Sequence, residues 1–316
     1  MIRHEETERL RVLDFPFLPS WRFSFLRDWN HRKWASVVSE YLKRERIPID
    51  ILWLSSPEQL PFCGEIPASL VCYDCMDNYE SFYPRLIPFE QELFRKADLV
   101  FVSALSLEEK ARKHSDNVHL VPNGVEVEHF RTVLEKSHPL PTDMMNIPAP
   151  RIGYYGSIAD WMDFEIIERL GQIEGASVVL VGPVHTEQAR RLAERGKVYL
   201  LGTKPYSELP GYLAHFSVCI LPFRDTELTR AIDPVKVYEY LAAGKDVVAT
   251  PLPALMRHAD ILALSHPSAF CEAVKAAFRS PAPPEVRVRR SAAMSAHSWK
   301  KRAEQIRAAI ANTEIR

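Results

Sequence analysis

A chain of 316 residues, 47% hydrophobic and 26% charged, has the size of about two ordinary domains and a globular composition, which excludes a disordered or collagen-like chain. Forty basic against forty-one acidic residues leave a formal net charge of −1, so nothing draws the whole molecule to nucleic acid and any charged partner must be met locally. Five cysteines are too few for a disulfide framework, the opening MIRHEETERLRVL lacks the apolar stretch of a signal peptide, and no apolar run approaches the ~18 residues of a membrane-spanning helix; the expected location is cytoplasmic.

In chain order, short β-rich runs alternate with helical patterns, the signature of βαβ units and parallel sheets. Strands are predicted at RVLDF, IDILWL, SLVCYD, DLVFVSA and NVHLVP, with helices near 29–46, 86–97 and 104–114. Ser137 to Pro150 carries four prolines and no periodicity, and reads as a linker. Beyond it come strands at RIGYYG, SVVLVGP, KVYLLG, SVCILP and DVVATP, with helices near 161–172, 185–195, 206–215 and 234–243. The last stretch, SAHSWKKRAEQIRAAIANT, spaces Trp299, Ala303, Ile306 and Ile310 as a helical stripe. The expected domains are 1–136, a linker at 137–150, a second domain at 151–296 and a closing helix at 297–316 that packs back toward the first.

Two segments carry chemistry. In RIGYYGSIADWMDFEII a strand runs into a turn with Gly153 and Gly156 and then a helix, a geometry that lets backbone N–H groups approach an anion; a tight turn needing positive φ is the plainer reading. In IDPVKVYEYLAAGKD, Asp233 suits an N-cap, Pro234 the first helical position and Gly244 the residue past the end. Lys236 and Glu239 then share one helix face. A lysine near a helix start suits a pyrophosphate and a carboxylate one turn on suits a ribose diol; the alternative is a salt bridge on a solvated face.

The segments VPNGVEVEHF and DPVKVYEYLAAGKDVVATPLP, in this order, resemble nucleotide-sugar glycosyltransferases of the GT-B fold, most closely family 4 enzymes of bacterial exopolysaccharide, capsule or teichuronic-acid assembly. YDCMDNYESF, FRKADLVFVSALSL, LLGTKPYSELPGYLAHFSVCILPFR and HSWKKRAEQI extend the likeness over residues 45 to 315. The resemblance implies an α/β chain of two Rossmann-like domains facing a cleft, the second holding the donor. It makes Glu239 the ribose carboxylate, Lys236 the cation on the donor phosphates, Gly156 and Ser157 the phosphate-facing loop, Arg224 a further reach into that pocket, and Gly202 to Pro205 the flank of the base. Two departures stand out. Where many family 4 enzymes have a second Glu eight residues before the ribose-binding one, this chain has Ala231, and the chain starts almost at RLRVLDFPFLP, so the first domain is expected to be truncated.

Asp74 and Asp77 follow the strand SLVCY, and Asp77 is the candidate catalytic base toward an acceptor hydroxyl; the alternative is a turn cap. Asn123 with Gly124 reads as a turn at a substrate-binding wall. Cys72 and Cys75 form a lone CxxC near Cys63, read as strand-end packing, and no metal site or cofactor is expected. Residues 21–46 hold seven Arg or Lys against three acids, interleaved with Trp21, Phe23, Phe25, Trp29 and Trp34, which suits an anionic membrane surface or a basic face over an aromatic core. The expected function is sugar transfer from a nucleotide diphosphate sugar to a lipid-linked or growing glycan, with no nucleic acid partner. A catalytically silent partner of another transferase and a nucleotide-sugar epimerase are the alternatives.

Overall fold

Strand pairing organises the chain into two units. The computed structural model describes residues 3–6, 11–16 and 24–313. The first unit comprises Met1–Ser103, Leu107–Leu120 and Ala309–Arg316; the second comprises Ala104–Ser106 and Val121–Ala308.

In the first unit, β1 (Arg3–Glu6) pairs antiparallel with β2 (Arg11–Asp14), so the strand expected at RVLDF joins a hairpin and not the parallel sheet. That sheet is β3 (Ile51–Leu54), β4 (Leu70–Cys75), β5 (Leu99–Val102) and β6 (Val118–Leu120), all parallel and in that order. β5 is buried on both faces, which is why LVFV reads as a continuous apolar run. A long helix, Ser24–Glu45, buries Asn30, Ala35 and Ser39, and Trp34 meets Phe62 edge-on at 4.8 Å. Trp21 and Phe23 lie outside the described residues. Among the described residues no helix is long and apolar enough to cross a membrane.

The second unit is built on β7 (Arg151–Tyr155), β8 (Ser177–Val181), β9 (Val198–Leu200), β10 (Val218–Leu221), β11 (Val247–Ala249) and β12 (Ala263–Leu264). They form one parallel sheet in the order β12-β11-β10-β7-β8-β9. This is a doubly wound sheet whose strand order reverses between β7 and β10, and such sheets bind ligands at the carboxyl ends of the strands at that reversal. The stretch Ser137–Pro150, expected as a linker, lies inside this unit with Met144 and Ile147 in its core. The reason is the helix Val127–Glu135, which buries Val127 and Phe130 in the same core and moves the boundary back to residue 121. In the closing helix Trp299–Ala311, Trp299 is 42% exposed while Arg302 and Ala309 are buried, so the inward face is rotated from the expected stripe.

Candidate functional site at the sheet reversal

The helix that carries the proposed donor residues, Val235–Ala242, starts differently from expectation. Pro234 is its N-cap and no side chain caps it. Asp233 is drawn away because its buried carboxylate accepts the Asn123 N–H at 2.7 Å and the Tyr238 hydroxyl at 2.9 Å. Asn123 answers with its side-chain amide on the Asp233 carbonyl at 2.7 Å, and its own carbonyl accepts Nε of Arg302 at 3.1 Å. Asn123 thus ties both its backbone N–H and its side-chain amide to Asp233 at the start of this helix. Gly244, at φ 67°, ends it as expected.

Six residues of this helix, Val237 to Ala242, are buried, so the solvated-face alternative for Glu239 does not hold. Glu239 is only 2% exposed, and its Oε2 accepts Nζ of Lys236 at 3.0 Å. Burial pushes the Glu239 carboxyl above its ordinary value, opposed by the Lys236 ammonium, the Tyr155 hydroxyl and His129. The Lys236 ammonium also lies 5.0 Å from the centre of the Tyr155 ring, and its side chain remains partly open to solvent.

Three glycines follow β7, β8 and β9, and the first of them closely approaches Lys236. Gly156 has φ 141° and its N–H donates to the Val181 carbonyl at 2.9 Å; a Cβ there would lie 3.6 Å from Cε of Lys236. Its N–H is therefore taken, and its part is the turn itself and the close approach of Lys236. Among the described residues the Ser157 N–H has no protein acceptor, which leaves it for an anion. Gly182 has φ 140° and donates its N–H to the carbonyl of Gly202, which has φ 67°. Gly182 was not singled out from the sequence, although SVVLVGP repeats the strand-then-glycine pattern of RIGYYG.

Arg224 follows β10, where its N–H donates to the Trp161 carbonyl at 2.9 Å; its side chain is exposed. His129 and Tyr206 stack at 4.8 Å between ring centres, with Tyr206 46% exposed and its hydroxyl pushed up by burial and by the nearby Glu239 carboxylate. Neither was marked in the sequence reading, because 77 residues separate them and only folding sets them side by side. Asp77 belongs to the first unit, in the loop after β4, and burial raises its carboxyl. Cys72 and Cys75 are both buried on β4, and burial holds the Cys72 thiol at about 11. Among the described residues no three His, Cys, Asp or Glu side chains converge to hold a metal.

A doubly wound sheet with a glycine turn and a buried carboxylate beside a lysine at its strand reversal defines a Rossmann-like class of α/β domain. Residues 149–280 match the family model described as glycosyl transferases group 1, and the chain has the GT-B fold. In particular, the chain is 29% identical over 203 residues to TuaH of Bacillus subtilis (strain 168), a protein assigned as a teichuronic acid biosynthesis glycosyltransferase. That match covers 58% of this chain and 51% of the relative, about half its length. Among solved structures, HepE of Anabaena in complex with UDP and glucose aligns with a TM-score of 0.69 at 15% identity, over 95% of this chain and 84% of that one. Sucrose-phosphate synthase from Thermosynechococcus elongatus aligns with a TM-score of 0.72 at 15% identity, over 96% and 83%.

Proposed function

We propose that this chain is a glycosyltransferase that moves a sugar from a nucleotide diphosphate sugar to a hydroxyl of a lipid-linked or growing glycan in bacterial surface polysaccharide synthesis. The observation that carries the reading is the pairing of Lys236 with the buried Glu239, held at 3.0 Å against the Gly156 turn at the strand reversal. Lys236 pairs with the diphosphate, the Ser157 N–H adds a backbone donor, and Glu239 accepts the ribose hydroxyls. Gly202 opens the loop that flanks the base, and Arg224 reaches the phosphates from the loop after β10. Asn123 serves by fixing the helix start. Asp77 acts as base on the acceptor hydroxyl, and the basic helix Ser24–Glu45 meets an anionic membrane surface where lipid-linked acceptors reside.

Calorimetric titration with uridine diphosphate, the nucleotide moiety named with the Anabaena structure, tests the donor residues. Losing a hydrogen bond to a charged group weakens binding about ten- to a hundredfold, so Glu239→Gln is expected to show that loss. Lys236→Ala is expected to weaken the diphosphate far more than the free nucleoside, because only the former presents the anion. Unchanged affinity in either folded variant returns that residue to a purely structural salt bridge. Asp77→Asn is expected to abolish transfer while uridine diphosphate binds as before; full transfer by that variant removes Asp77 as the base.

A further inference from the structure

Tyr155 ends β7 directly before the Gly156 turn, and its side chain is held from three sides. Phe130 lies parallel at 6.4 Å, Tyr240 stands edge-on at 4.9 Å, and the Lys236 ammonium sits 5.0 Å from the ring centre. The Tyr240 hydroxyl clamps the Tyr155 backbone, accepting its N–H at 2.9 Å and donating to its carbonyl at 3.3 Å. The Tyr155 hydroxyl itself is buried and has no hydrogen-bond partner among the described residues. An unpaired buried hydroxyl carries a desolvation cost with no return, so this one calls for a reason.

Its neighbour supplies one. The Glu239 carboxylate faces the phenol, which burial and then that carboxylate push well above the ordinary tyrosine value. Lys236 neutralises Glu239 at 3.0 Å. On the reading given above, Lys236 turns to the donor's diphosphate, and Glu239 then loses its counter-ion when it must stay ionised to accept the ribose hydroxyls. A buried carboxylate stripped of its partner takes up a proton unless another donor holds it.

We propose that Tyr155 is a positioning residue that donates its hydroxyl to Glu239 as Lys236 leaves for the phosphates, so that the carboxylate stays ionised and aimed at the ribose. The exchange rests on Lys236 and Glu239 being the donor residues. The groups that face Glu239 are Lys236 and Tyr240 on its own helix, Tyr155 on β7, His129 on the helix Val127–Glu135, and Tyr206 after β9. Of these, Tyr155 is the one whose hydroxyl is buried and still unpaired.

The test is calorimetric titration of the full chain with uridine diphosphate, using Tyr155→Phe, Glu239→Gln and the double variant, from pH 5 to 8. Tyr155→Phe is expected to bind about tenfold more weakly, and to change affinity less than about twofold when Glu239 is already Gln, since the hydroxyl acts through that carboxylate. The acidic limb of binding in Tyr155→Phe moves to higher pH, because a donor to the ionised form has been removed. A merely structural tyrosine would leave that limb unmoved. Equal losses in both backgrounds, unchanged affinity, or unfolding of Tyr155→Phe overturns the inference. Glu239→Gln binding like wild type strikes the donor-site reading beneath it, whereas a weak Glu239→Gln beside an unaffected Tyr155→Phe strikes this inference alone.

Discussion

Behind the start of the helix Val235–Ala242, Tyr238 passes its hydroxyl to Asp233 while its ring meets two histidines, His258 at 5.2 Å and His297 at 5.4 Å. Arg302 donates to Nδ1 of His297 at 2.7 Å. Burial first, and then neighbouring positive groups, push both His258 and His297 down to about 4. A folded value below the ordinary 6.5 means that protonation favours the unfolded chain, so this stability is present above pH 6.5 and lost as pH falls toward about 4. For the 3% exposed His258 the shift from 6.5 to about 4 corresponds to roughly 3 kcal/mol as an upper bound. Asp233 and Glu239 work in the opposite sense, since their raised carboxyls bind protons more tightly in the folded state. His258→Phe isolates the histidine: its melting temperature is expected to fall less between pH 7 and pH 5 than that of the wild type. Parallel pH dependence in the two proteins would show that His258 is not the group responsible.

At the scale of the element, the loops after β7 and β8 leave no room for a side chain. A Cβ on Gly182 would lie 2.0 Å from the Gly156 carbonyl oxygen, in a backbone conformation with φ 140°. Gly182→Ala must therefore displace the Gly156 turn, and is expected to cost about 2 kcal/mol or more and to weaken nucleoside diphosphate binding. Gly175, with φ 74° and nothing within 4 Å of an added Cβ, is the control: Gly175→Ala bears only the backbone strain and should bind as wild type. Equal affinities in the two variants would separate the Gly182 turn from the donor site. The strands of both parallel sheets other than β12 were legible because buried strands are apolar runs, and the helix Val235–Ala242 was legible from its proline and glycine punctuation. What could not be read were the contacts that decide between equivalent local choices. Asp233 has the chemistry of an N-cap, yet a backbone N–H 110 residues away takes its carboxylate. The helices Val127–Glu135, Phe270–Arg279 and Pro284–Ala293 were missed, although Pro284 stands at the first helical position of the last.

For the whole molecule a net charge of −1 gives no attraction to any anionic surface, so such binding has to come from one patch. The helix Ser24–Glu45 provides it. Trp34 is spent on Phe62, while Trp29 is 50% exposed and Phe25 65% exposed, one turn apart. Arg32, Lys33, Lys43 and Arg44 are exposed on the same helix, against Asp28, Glu40 and Glu45. An apolar anchor with excess positive charge suits the interface of an anionic bilayer, where each cation near the surface contributes about 1 kcal/mol and the attraction fades within a Debye length of ~8 Å at physiological salt. The chain is expected to sediment with vesicles containing phosphatidylglycerol, to do so much less with phosphatidylcholine alone, and to be released as salt rises over tens to hundreds of millimolar. Trp29→Ala should weaken the association at every salt concentration, since it removes apolar burial. Reversing Lys43 and Arg44 to Glu should flatten the salt dependence itself, leaving the apolar contribution of Trp29 in place. Equal sedimentation with neutral and anionic vesicles would instead make this helix a solvated basic face.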